Sequence, residues 1–191
     1  MLLLPLPALA MLSCDAPKKP IAEPTTSSHS TSIDKESWPS TTVDAVALAA
    51  LDADSRAAVA RSPVPVLVPR RKELLAVSKV MVEEHWYAFA ATSGGVTVSI
   101  HATNVVHQYD DIAPIKGKHT VRGLEGWVTQ NEAIWSASWK ENNVAYTLDV
   151  ECAEPTESRC KSDTFVLALA SDLVYVGGRG PSKSPTSGGA Q

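Results

Sequence analysis

Residues 85–103 read HWYAFAATSGGVTVSIHAT, and no other stretch restricts the fold as strongly. Val96, Val98, Ile100 and Ala102 are apolar and alternate with Thr97, Ser99 and His101. A period of two places alternate side chains on opposite faces of a strand. The SGG tripeptide before Val96 supplies the positive backbone angles of a tight hairpin turn, so the two halves pair antiparallel. One face of this hairpin is built for burial and the other for contact with water, which is the habit of antiparallel meanders.

The same grammar returns between residues 126 and 151, in GWVTQNEAIWSASWKENNVAYTLDVE, which predicts two or three more strands. Trp135, Ala137 and Trp139 alternate with Ser136 and Ser138; ENN forms a turn. Val144, Tyr146, Leu148 and Val150 then share one face, opposite Ala145, Thr147 and Asp149. Helical sequence flanks this block. DAVALAALDADSRAAVARS, residues 44–62, is rich in alanine, the best helix former. Asp44 is placed to cap a first helix, Asp52 or Asp54 to start a second after a break, and Pro63 to end the run. VPVLVP reads as a short strand whose prolines confine it to an edge or to strand ends. SDTFVLALASDL predicts a closing helix with Ser162 or Asp163 as N-cap and Phe165, Leu169 and Leu173 on one stripe. VYVGG adds a last short strand.

These patterns give an α+β fold: an antiparallel sheet with N-terminal and C-terminal helices packed on one face. The stretch IWSASWKENNVAYTLDVE, with the following FVLALASDL, loosely resembles extracytoplasmic domains of bacterial envelope proteins of unassigned role. That likeness implies a two-layer fold and no chemistry. The expected organisation is a signal peptide over 1–13, a disordered linker over 14–42, one globular domain over 43–177 and a disordered tail over 178–191. The linker DAPKKPIAEPTTSSHSTSIDKESWPSTT has too few apolar groups to offset the entropy of ordering. Trp38 is its one large aromatic and a candidate to dock onto the domain.

The first thirteen residues, MLLLPLPALAMLS, carry no charge and are too short to span a bilayer, yet long enough for a signal h-region. MLSC, with apolar Met11, Leu12, small Ser13 and then Cys14, resembles the bacterial lipobox. The resemblance implies cleavage before Cys14 and fatty acylation (palmitate among the chains) of the new N-terminus. It also implies a membrane-anchored lipoprotein facing the periplasm or the exterior. A secretory leader without lipid and a buried helix with a free thiol are the other readings. Pro5, Pro7 and the polar run after Cys14 weigh against the helix.

Three cysteines are an odd count. If Cys14 takes lipid, Cys152 and Cys160 remain, flanking the loop AEPTESR, and an exported protein is expected to oxidise them. Seven intervening residues do not match the short spacing of zinc knuckles or the C-x-x-C of redox catalysts.

Residues fitted for chemistry are sparse. The chain has no G-x-S-x-G, H-E-x-x-H, P-loop or G-x-G-x-x-G. Glu83, Glu84 and His85 are consecutive, and adjacent strand residues diverge. His101, His107 and His119, with Asp110 and Asp111, could surround a metal, though nothing in their spacing demands it. Trp127, Trp135 and Trp139 fall within thirteen residues, with Trp86 and Tyr87 in the opposing hairpin. They either fill the core or form a ligand platform beside Gln130, Asn131 and Glu132. A net charge of −4 with scattered basic residues argues against a nucleic-acid partner.

The leading expectation is therefore an envelope lipoprotein with a non-catalytic domain, without cofactor, that contacts another envelope protein or a small ligand. Its expected binding surface is the polar sheet face or the loops around VTQNEAIW. The alternative is a metal-dependent or hydrolytic extracytoplasmic enzyme using the His101, His107 and His119 region. A regulatory module sensing the envelope is a third reading.

Overall fold

The computed structural model describes residues 29–33, 35, 37–109, 113, 115–154 and 156–179, and Cys14, Asp110 and Asp111 lie outside them. In chain order the elements are β1 (His29–Ile33), α1 (Ala45–Ala50), α2 (Ala53–Arg61), β2 (Val66–Pro69), α3 (Lys72–Leu75) and β3 (Lys79–Val82). There follow β4 (Trp86–Ser93), β5 (Val96–Thr103), β6 (Val105–Tyr109), β7 (His119–Val121), β8 (Leu124–Asn131), β9 (Ile134–Glu141) and β10 (Val144–Cys152). A 3₁₀ turn (Ser158–Cys160), α4 (Thr164–Ser171) and β11 (Leu173–Gly177) close the domain.

The alternating segments become a seven-stranded antiparallel sheet in the order β3-β4-β5-β10-β9-β8-β7. Four of its hairpins turn in two residues: Gly94–Gly95, Arg122–Gly123, Glu132–Ala133 and Asn142–Asn143. Three of these pairs have positive φ at both positions, which matches the right-handed twist of the flanking strands. Arg122 is the unexpected member, at φ 55°. Two smaller ribbons complete the structure, β11 with β2 and β1 with β6. The fold is α+β and dominated by the sheet.

One face of the sheet supplies most of the core. Tyr87, Phe89, Val98, Ile100, Ala102, Ala137, Trp139, Tyr146, Leu148 and Val150 are all buried on it, together with Val59, Leu75, Val166 and Leu169 from the helices. Two tyrosines staple β2 to this layer. The Tyr87 hydroxyl accepts from the Leu67 N–H and donates to the Leu67 carbonyl, both at 3.0 Å, and the Tyr146 hydroxyl donates to the Pro65 carbonyl at 2.8 Å. Burial pushes both phenols well above their ordinary range, so they stay neutral as hydrogen-bonding groups.

The N-terminal helices start where the caps predict. Asp44 Oδ1 accepts from the Ala47 N–H at 2.9 Å, and Asp52 Oδ1 from the Ser55 N–H at 2.8 Å. Leu51 is extended between them, which separates the two helices. The last helix differs from its expected shape. Its buried residues are Val166, Leu169 and Ala170, not a Phe165–Leu169–Leu173 stripe. Leu173 already belongs to β11, and Phe165 is half-exposed between the guanidinium groups of Arg71 and Arg159, 5.2 and 5.9 Å from its ring centre. Asp163 makes no side-chain cap; the Thr164 N–H donates instead to Ser162 Oγ at 3.4 Å.

β1 lies inside the segment expected to be linker, pairing His29–Ile33 with Val105–Tyr109. The peptide groups of β6, outside the main sheet, find hydrogen-bond partners there. Trp38 meets the domain at Gly178, where a Cβ would come within 2.5 Å of the indole. The Ser37 N–H donates to the Asn142 carbonyl at 2.8 Å.

Candidate functional site

The register of the sheet decides which side chains can act together. Met81, Ala88, His101, Thr147, Ser138 and Trp127 are successive cross-strand partners from β3 to β8. They form one row across the face opposite the core. Beside it runs a second row of Lys79, Ala90, Ser99, Asp149, Ser136 and Thr129. None of these twelve residues is buried. Alanine, serine and threonine make up most of the middle of the face, with His101 and Asp149 among them, and the larger Met81 and Trp127 stand at the two ends of the first row. The polar groups are linked to each other: Ser136 Oγ donates to Asp149 Oδ1 at 2.6 Å, and the Ser138 and Thr147 hydroxyls lie 3.1 Å apart. His101 stands out from the sheet with its ring 5.4 Å from that of Trp86.

The three tryptophans of the expected platform do not come together. Trp139 is 2% exposed, stacked on Tyr146 with ring centres 5.4 Å apart, and donates its indole N–H to Glu141 Oε2 at 3.1 Å. Trp135 shares that core-side face and donates to the Cys160 carbonyl at 2.8 Å. Trp127 is 39% exposed and faces the other way, because its cross-strand partner is Ser138. Gln130 pairs with Trp135, so it projects on the core side at the exposed end of β8, and Asn131 closes that strand. Trp127 alone of the three contributes to the open face.

The histidines are dispersed as well. His101 is on the open face of β5. His119 pairs with Gly126, which pairs with Trp139, so it projects on the opposite side of the sheet. Four strand spacings separate β5 from β7, about 19 Å. His107 lies on the β1–β6 ribbon with Nδ1 3.1 Å from the Thr31 hydroxyl. Among the described residues no three His, Cys, Asp or Glu side chains stand close enough to hold a metal ion. Glu84 approaches His85 at 3.6 Å on the surface.

Cys152 and Cys160 form a disulfide, joining the end of β10 to the 3₁₀ turn before α4. Both are buried.

A second polar constellation, absent from the sequence reading, centres on Arg122. Arg122 donates from Nε to Glu141 Oε2 at 3.0 Å and from Nη1 to the carbonyls of Ala170 and Leu173 at 2.8 and 2.9 Å. With Asp44, Arg70 and Tyr175 these two residues line a cleft of about 320 Å³. Partial burial pushes the Tyr175 hydroxyl up. Three acceptor oxygens hold the Arg122 guanidinium, so it works as a clamp between the β7–β8 turn, β9 and the end of α4.

The chain matches no family model, no curated protein and no solved structure. Whatever chemistry the domain performs is therefore read from its own surface. Among the described residues no helix is long and apolar enough to cross a membrane.

Proposed function

We propose that the chain is an envelope lipoprotein, cleaved before Cys14 and acylated on it, whose domain is a non-catalytic binding module. Its helices stack on the core side of the sheet, and the opposite face, exposed to periplasm or exterior, meets an envelope protein or a small ligand. The supporting observation is the row Met81–Ala88–His101–Thr147–Ser138–Trp127, in which Ala88, Thr147, Ser138 and a projecting His101 lie between two large apolar side chains and none of the six is buried. Aromatic and methionine side chains are favoured at interfaces.

Site-specific photocrosslinking tests this reading. A benzophenone side chain at Ser138 or Thr147 is expected to capture a discrete envelope partner, and one at exposed Arg61 on α2 is not. Equal capture from both sides, or none from the sheet face, refutes the binding surface. Cys14→Ser is expected to abolish fatty-acid labelling and release the protein from membrane fractions. Persistent labelling refutes the anchor. Dispersal of the histidines gives no support to the metal-dependent alternative among the described residues.

A further inference from the structure

A second cavity lies away from the open sheet face. It is a groove of about 540 Å³ between α1 and α3, lined by Val46, Ala47, Ala50, Leu75 and Ala76, with Asp44, Arg70 and Lys72 at its rim. The groove exists because three of its wall residues are alanines, whose side chains stop short of the facing helix. Leu75, buried, forms its floor. Val46 is 72% exposed on its wall, an unusual position for a β-branched apolar residue on a short helix. The volume falls within the roughly 300–1,000 Å³ range of small-molecule sites.

The rim gives the groove a polarity. Asp44 is already engaged twice, since its Oδ1 caps α1 at Ala47 and its Oδ2 lies 3.4 Å from Arg70 Nε. Arg70 nevertheless keeps 64% of its side chain exposed, and Lys72 is exposed beside it. Two cations thus face one committed carboxylate at the rim of an apolar trough. A neutral apolar molecule would leave this excess charge unused, and a cation would be repelled by it.

We propose that the α1–α3 groove binds a single hydrocarbon chain bearing an anionic head group. The chain lies against Val46, Ala50, Leu75 and Ala76, and the carboxylate or phosphate head meets Arg70 and Lys72. This site is separate from the sheet face and does not depend on the anchor at Cys14.

Titration calorimetry on the purified full-length chain tests it, with dodecanoate and dodecyl phosphate as probes below their micellar concentrations. One chain per protein is expected, with micromolar affinity, and dodecyltrimethylammonium is expected to bind at least tenfold more weakly. Ala50→Phe, which fills the groove from an exposed position, is expected to weaken binding at least tenfold. Val46→Asp, which adds a negative charge at a site that carries no packing, provides a second variant with little effect on folding. Arg70→Gln with Lys72→Gln is expected to weaken the anions about tenfold and leave dodecanol unchanged. The absence of saturable binding overturns the proposal, as does binding that both groove variants leave intact. Pelleting with vesicles of anionic phospholipid, without uptake of either monomeric probe, also overturns it and identifies a membrane-surface contact instead.

Discussion

Arg122 is a long cationic side chain placed where glycine or asparagine is usual, in the left-handed region at φ 55°. Holding a non-glycine residue there costs about 1–2 kcal/mol. Its guanidinium must therefore return more than that. It makes three hydrogen bonds of 2.8–3.0 Å, one to Glu141 and two to carbonyls of Ala170 and Leu173. Ala170 belongs to the last turn of α4, where carbonyls lack helical partners and a cation is favoured. The Arg122 and Glu141 side chains are 16% and 24% exposed, so the pair is largely removed from water. Breaking a fully buried pair costs about 3–5 kcal/mol, and this partly exposed one is expected to cost about 2–4 kcal/mol. Arg122→Ala keeps the backbone strain and loses the side chain, so it should show that full loss. Arg122→Gly loses the same side chain but relieves the strain, so it should be about 1 kcal/mol more stable than Arg122→Ala and still below wild type. Adding Glu141→Gln to Arg122→Ala removes the uncompensated carboxylate and should recover about 1 kcal/mol. Urea unfolding followed by circular dichroism reads these differences as shifts of midpoint at constant slope. An Arg122→Ala protein within 0.5 kcal/mol of wild type, or a glycine variant less stable than the alanine one, refutes the clamp.

Replacing Cys152 and Cys160 together by serine frees a loop of sequence separation 8 and should cost about 2–3 kcal/mol, read in the same unfolding assay; no measurable loss would contradict it. Tyr87→Phe strips the Leu67 N–H and carbonyl of their shared partner, and a loss of about 2–4 kcal/mol is expected, with an unchanged midpoint as the contrary result. For Asp52, the Lys79 ammonium 2.6 Å away and then the Ser55 N–H hold the carboxyl down from 3.8 to about 2. A depressed folded value makes this contribution complete above pH 3.8 and lost as pH falls through about 2, so Asp52→Asn should flatten the acid limb of the stability curve over that window. Parallel acid limbs in wild type and variant would refute it.

What the chain disclosed of itself follows from how local each signal is. The Val96–Ala102 alternation and the Asp44 and Asp52 caps are legible because each is complete within a few residues. The strand β7 and its turn were hidden because Gly123 is the only turn signal there, and arginine ordinarily avoids the left-handed region. The helix α3, of four residues, is too short to show a helical period, and the groove beside it was hidden with it. The α4 stripe failed because Leu173, at helical spacing from Leu169, lies beyond the Ser171–Asp172 break and begins β11.

The tryptophans show the same limit at the candidate site. Trp127, Trp135 and Trp139 are all odd-numbered, and a reader who assumes one continuous period of two assigns them one face. The turn at Glu132–Ala133 has two residues, so Asn131 pairs with Ile134 and cross-strand partners have opposite parity. Trp127 therefore joins Ser138, and the other two indoles join the core. A three-residue loop, pairing Asn131 with Trp135, would have set Trp127 opposite Trp139 and turned it to the core side. Which side chains meet a partner on the open face thus depends on the length of a loop that carries no glycine, proline or asparagine within it. The surface proposed for binding is fixed by that turn as much as by the residues displayed on it.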